Sequence, residues 1–137
     1  MTYIVNRQGK GDSTQLISAR IQISHLEFAE ENGFVFNKLV NKALETFEHD
    51  LQTDHEVERV SAKLTWSCSV YTAYDEDGRG SRPKMLRVQT HLLNYLKMNK
   101  YKVNAAINLA LERWIKYYKT NRVADYVINN LQRRGKY

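Results

Sequence analysis

The chain has 137 residues, a formal net charge of +6 and 42% hydrophobic residues. That apolar content supports a packed globule and excludes a wholly disordered chain, and no apolar run approaches the ~20 residues that a bilayer-spanning helix needs. The single cysteine, Cys68, has no internal disulfide partner, which fits a reducing compartment.

Residues 2–5 (Thr, Tyr, Ile, Val) are β-prone and no secretion signal opens the chain, so the expected location is the cytoplasm. A glycine-bearing loop, Gly9 to Ser13, follows. Ala19, Ile21 and Ile23 then alternate with Ser18, Arg20, Gln22 and Ser24, which predicts a strand with one apolar and one polar face. Ser24 stands where an N-cap belongs, predicting a short helix over 25–32. Gly33 suits a left-handed turn residue. Leu39, Val40, Ala43, Leu44 and Phe47 form a helical stripe, predicting a long helix over about 35–50. Thr53-Asp54 is read as the cap of a third helix, with Val57, Val60 and Leu64 on its apolar side.

The second half repeats this order. Leu64, Trp66, Cys68 and Val70 alternate as an extra strand, and a loop over 75–81 is closed by Pro83, the only proline. Leu86 and Val88 alternate with Met85, Arg87 and Gln89; Thr90 is the expected cap of a helix over 91–99. Lys100 takes the place of Gly33, a poorer fit to the turn. A long helix over about 102–118 carries Ala106, Ile107, Ala110, Leu111 and Trp114, and Thr120-Asn121 is read as the cap of a helix with Ala124, Val127 and Leu131.

The recurrence keeps one constant offset in sequence number (87 − 20 = 67). Arg20-Ile21-Gln22 returns as Arg87-Val88-Gln89, Ala43-Leu44-Glu45 as Ala110-Leu111-Glu112, and Asn32, Asn37 and Asn41 as Asn99, Asn104 and Asn108. Such self-similarity predicts two copies of one folding unit, 1–67 and 68–137, packed together as a covalent pseudo-dimer. Each unit alone would bury only a marginal core. The charge is divided unequally: residues 1–67 hold 7 basic and 10 acidic side chains, a net −3, and residues 68–137 hold 14 and 5, a net +9. A basic half suggests an anionic partner, most simply nucleic acid.

Strand, short helix, turn, then a longer helix with Ala-Leu at its middle resembles the ribbon-helix-helix family of Arc and MetJ. The likeness covers residues 18–50 and 84–118, and its double occurrence is similar to the tandem arrangement of TraY-type conjugation proteins. The fold expected is mainly α, with one short two-stranded antiparallel β-ribbon made by pairing the two repeats, plus an additional helix and an extra strand per repeat. The resemblance implies that the ribbon enters the major groove, which admits two strands and offers guanine to Arg and adenine to Gln. Base contacts are expected from Arg20, Gln22, Arg87 and Gln89, joined by Ser18 and Met85. The resemblance also places phosphate at the N-terminus of each long helix, where the amides and helix dipole favour anions, and so implies contacts from Asn37, Lys102 and Asn104. For the paired asparagines a helix-stabilising hydrogen bond is an equal alternative. Lys84 and Arg82, ahead of the second ribbon strand, are read as an arm along the DNA backbone, with a solvated loop as an equal alternative.

The function expected is sequence-specific binding of double-stranded DNA in transcription regulation, by a nucleoid-associated chain that is a monomer acting as a pseudo-dimer, with self-association on DNA left open. Two alternatives stand beside it. One is an architectural DNA binder without sequence preference. The other is a protein-interaction module, such as an antitoxin or an inhibitor of a host enzyme, acting through the acidic first repeat. No cofactor and no catalytic motif is expected, and His25, His49, His55 and His91 have no metal-ligand spacing with Cys68.

Overall fold

The computed structural model describes residues 13–53 and 80–132. Within them the chain is mainly helical, with one two-stranded antiparallel sheet. Strand β1 (Thr14–Gln22) runs directly into α1 (Ile23–Glu31), and α2 (Phe36–Thr53) follows. Strand β2 (Ser81–Gln89) runs into α3 (Thr90–Met98), then α4 (Val103–Lys119) and α5 (Asp125–Leu131). The bounds of β2 and α3 are those of β1 and α1 advanced by the offset of the repeat (81 − 14 = 67), and α2 and α4 begin at matching positions (103 − 36 = 67). The extra strands expected at 2–5 and 64–70, the first of the third helices and the loop at 75–79 lie outside the described residues.

The two strands pair with each other, from Thr14 opposite Gln89 to Gln22 opposite Ser81. At both ends of the ladder the pairing carries on into a helix start. Ile23 N donates to the Gly80 carbonyl (3.2 Å) and Thr90 N to the Ser13 carbonyl (2.9 Å). That arrangement corrects the helix starts expected from Ser24 and Thr90 as caps. Gln22 and Gln89 occupy the cap positions, without a side-chain capping bond. An amide that a helix start would leave orphaned is taken by the opposite strand instead, so a capping side chain is not needed there. Ser24 lies inside α1 and Thr90 is the first residue of α3, so the two helices share one register.

The ribbon's inner face supplies Ala19, Ile21, Leu86 and Val88, all at most 2% exposed. They rest on α2 and α4, the two helices that pack most extensively on each other. The α2 stripe is buried as its spacing predicts, with Leu51 extending it. Helix α4 is buried further round, adding Ala105, Asn108 and Leu109 to the expected stripe. Each fully buried Leu or Ile here contributes about 1.5–3 kcal/mol, and truncating Leu111, with no exposed surface, would cost about 2–5 kcal/mol.

The turns between helix pairs are built alike. Gly33 and Lys100 are both left-handed, with φ of 71° and 61°. Lys100 thus adopts the conformation for which only the glycine is well suited. Beyond α4, Thr120-Asn121 does not open the next helix. Thr120 Oγ1 donates back to the Lys116 carbonyl (2.9 Å), and Asn121 turns left-handed at φ 60°. Those are helix-ending features, and α5 begins only at Asp125. Thr53, the last described residue of α2, donates its hydroxyl to the His49 carbonyl (3.0 Å). Pro83 is not a loop residue either but sits within β2, opposite Arg20.

Helix α5 is fastened across the molecule to the turn between α1 and α2. Phe34 and Gln132 form an antiparallel bridge, and Val35 N donates to the Leu131 carbonyl (2.8 Å). Beneath it, Phe28, Phe34, Trp114 and Tyr118 make edge and stacked ring contacts, the shortest being 5.4 Å between Phe28 and Tyr118. Tyr118 Oη donates to Asn32 Oδ1 (3.1 Å), joining the two halves at that corner.

Candidate nucleic-acid interface

A two-stranded ribbon leaves each strand with one unpaired edge, and here two asparagines cover each edge. Asn108 on α4 accepts from Gln22 N at Oδ1 (2.9 Å) and donates from Nδ2 to the Arg20 carbonyl (2.9 Å). Asn104, one turn earlier, accepts from Arg20 N (3.3 Å). On the other side Asn41 accepts from Gln89 N (2.8 Å) and donates to the Arg87 carbonyl (3.0 Å), while Asn37 accepts from Arg87 N (3.2 Å). Spacing of i and i+4 puts each pair on one helix face. The long helix of each half therefore holds the ribbon strand of the other half. Of the alternatives open for Asn37 and Asn104, a structural hydrogen bond is present, though made to the ribbon and not within their own helices.

Because Arg20 points its amide and carbonyl to this edge, its row with Pro83 is not hydrogen-bonded across the ribbon. The proline nitrogen at the same row faces the free edge of β2, where a missing donor is tolerated. The rows Thr14–Gln89, Leu16–Arg87, Ser18–Met85, Arg20–Pro83 and Gln22–Ser81 are all of this type. Apart from Gln22, where β1 turns into α1, their side chains share the face turned away from the helices.

On that outer face Arg20, Ser18, Met85 and Arg87 are exposed, as expected. Gln22 is not: it is 6% exposed at the junction of β1 with α1, which corrects its expected place on the outer face. The strand ends there, and the chain turns inward with its apolar neighbours. Gln89 is half-buried, with a buried Oε1 that has no hydrogen-bond partner among the described residues. Arg20 is held across the ribbon, donating from Nε to Ser81 Oγ (2.9 Å) and from Nη2 to the Ser81 carbonyl (3.1 Å). Exposed Leu16 and Pro83 also lie on this face; Leu16 did not stand out in the sequence, and Pro83 did so only as a loop residue.

Lys84 and Arg82 belong to β2 itself and not to an arm before it, which corrects their expected position. Both are exposed, on rows that alternate onto the helix side. Together the two strands thus carry Arg20, Arg82, Lys84 and Arg87 and no acidic residue. Lys102 precedes α4 with extended backbone and is half-buried. At the start of α2 the Val35 amide is already taken by the Leu131 carbonyl, and Lys38 Nζ lies 3.5 Å from the Asn130 carbonyl.

Toward the C-terminal ends of α2 and α4, Tyr117 Oη donates to Asp50 Oδ2 (2.7 Å), and Arg113 Nη2 reaches the same hydroxyl (2.9 Å). Burial and the Asp50 carboxylate push the Tyr117 hydroxyl above its ordinary value, against the opposing pull of Arg113. Among the described residues no helix is long and apolar enough to cross a membrane. No protein-family model matches the chain, and no curated protein or solved structure matches it either.

Proposed function

We propose that the chain is a tandem ribbon-helix-helix pseudo-dimer that binds double-stranded DNA sequence-specifically and regulates transcription from the nucleoid. The observation that carries this reading is the outer face of the ribbon. Arg20 and Arg87 stand two rows to either side of the Ser18–Met85 row, on strands whose four charged side chains are all basic. On the other face Ala19, Ile21, Leu86 and Val88 are taken up by the core, which leaves the outer face for a partner. Two strands about 4.8 Å apart fit a major groove about 12 Å wide, and arginine is the side chain suited to guanine O6 and N7.

In this reading Ser18, Met85, Arg20 and Arg87 face the bases, with Gln89 beside them. Lys84, Arg82 and Lys102 lie toward phosphate. Asn37 and Asn104 act through the ribbon whose strands they hold. The two halves are unequal in sequence: Val35 stands just before α2, whereas Lys102 brings a cation to the start of α4. The preferred site is therefore an imperfect palindrome, more firmly held on the side of α4.

The test is selection from a randomised duplex pool at about 150 mM salt, where long-range attraction is mostly screened. Enrichment of a short motif supports the reading. Retention without a motif points to an architectural binder, and no retention points to a protein partner.

A further inference from the structure

The four large exposed hydrophobic residues among the described residues are Leu16, Met85, Met98 and Tyr126. Single exposed apolar side chains need no explanation, but two of these four share the ribbon's outer face. Leu16 is 54% exposed and Met85 57%. Leu16 lies opposite Arg87, Met85 opposite Ser18 in the next outward row, and Pro83 opposite Arg20 in the row after that. Leu16 and Met85 are diagonal neighbours across the ribbon and Pro83 follows Met85 on the same strand, so the three form one apolar strip, with Arg87 and Arg20 beside its two ends. Diagonal neighbours on such rows are about 7–8 Å apart, close enough for one continuous surface.

A duplex suits this face by charge, because the strip is framed by cations and the ribbon holds no acid. Within the major groove one base carries an apolar group, the C5-methyl of thymine. We propose, resting on the DNA-binding reading above, that Leu16 and Met85 read thymine methyls, so that the preferred site has an A·T centre between two guanines. Arg20 and Arg87 are four residue steps apart along the ribbon. At roughly 3.4 Å per step that is about 13–14 Å, or about four base pairs.

The inequality of the two halves is concentrated in this strip. Positions matched by the repeat hold Arg in both copies at 20 and 87, but Leu and Pro at 16 and 83, and Ser and Met at 18 and 85. The flanking guanines of the site are thus related by symmetry while its centre is not. Ser18 contributes a hydroxyl that bonds to any base, so direction in the centre comes from the methyls.

The experiment uses the full chain and the duplex that it retains best from a randomised pool. Each central thymine is replaced in turn by deoxyuridine, which removes the methyl and leaves base pairing intact. Binding is measured by fluorescence anisotropy for the wild-type chain and for Leu16→Ala and Met85→Ser, each first shown by thermal melting to be folded. The expected result is a weakening of about four-fold for a contacted methyl, and no further weakening in the variant that has lost the facing side chain. A retained motif without a central A·T pair, or deoxyuridine duplexes bound equally by the wild-type chain, overturns this inference and leaves the DNA reading standing. Retention of no duplex overturns both.

Discussion

Ser18 and Met85 face each other across the ribbon, and they hold matching positions in the two halves (85 − 18 = 67). In an antiparallel ladder one row alone can join residues separated by the offset of the repeat, and that row marks the local two-fold axis. Tyr117 and Asp50, a second pair at that offset, meet by a 2.7 Å hydrogen bond between α4 and α2. Strand pairing and helix packing thus each bring together residues 67 positions apart.

The register is directly testable. A row without cross-strand hydrogen bonds brings Cα atoms to about 4.5 Å, within the range of a disulfide. With Cys68→Ser as background, Ser18→Cys combined with Met85→Cys should form an internal disulfide on mild oxidation. The product should run as a monomer on a non-reducing gel. A slip by one residue would turn one thiol into the core and abolish the bond.

Asn108 is 1% exposed and makes hydrogen bonds to Gln22 N, the Arg20 carbonyl and the Asn104 carbonyl. His25 Nδ1 also lies 3.3 Å from its Oδ1. Asn108→Ala leaves buried ribbon groups without partners, at a cost of about 3 kcal/mol and a fall in Tm of roughly 10 °C. Asn41→Ala acts at the matching but more exposed place, where water replaces the amide, and should cost about 1 kcal/mol. Equal losses by calorimetry would contradict the difference in burial.

The paired asparagines also show where sequence reading stops. Their recurrence was visible in the chain, and so were the alternation of Ala19 and Ile21, the buried stripes of α2 and α4 and the spacing of the elements. Those features depend on local periodicity. The partner of an asparagine does not, because Asn108 bonds to residues 86 and 88 positions away. The same limit hid Ser81 beside Arg20 and the fit of Pro83 to a free edge. Gln22 looked like an outer-face residue by alternation alone, but the turn into α1 buries it.

Gly33 and Lys100 occupy matching left-handed turns. A Cβ on Gly33 would meet nothing within 4 Å, so Gly33→Ala carries a purely conformational cost of about 1 kcal/mol. Lys100→Gly should stabilise by a similar amount, since it removes the penalty that a side chain brings at φ 61°. Urea melts of the two variants should move in opposite directions.

Tyr117 holds its proton more firmly in the folded state than in the unfolded chain. The stability that it contributes is therefore complete below the ordinary tyrosine range and is lost as pH rises through the folded value. Tyr117→Phe removes the donor to Asp50 at neutral pH, costing about 1–2 kcal/mol. The variant should also lose less stability than the wild-type chain on going above about pH 10. Parallel stability profiles from pH 8 to 11 would rule out a titrating role for this hydroxyl.

The central claim is that the outer ribbon face reads bases, and the most direct measurement compares the selected duplex with a scrambled one. Affinities of the wild-type chain and of Arg20→Ala combined with Arg87→Ala would be taken across a range of salt. Loss of about 1–3 kcal/mol of discrimination per arginine is expected, with the scrambled duplex much less affected, because phosphate contacts carry non-specific binding. Equal weakening on both duplexes would show that the arginines act only as charges and would contradict a ribbon that reads sequence.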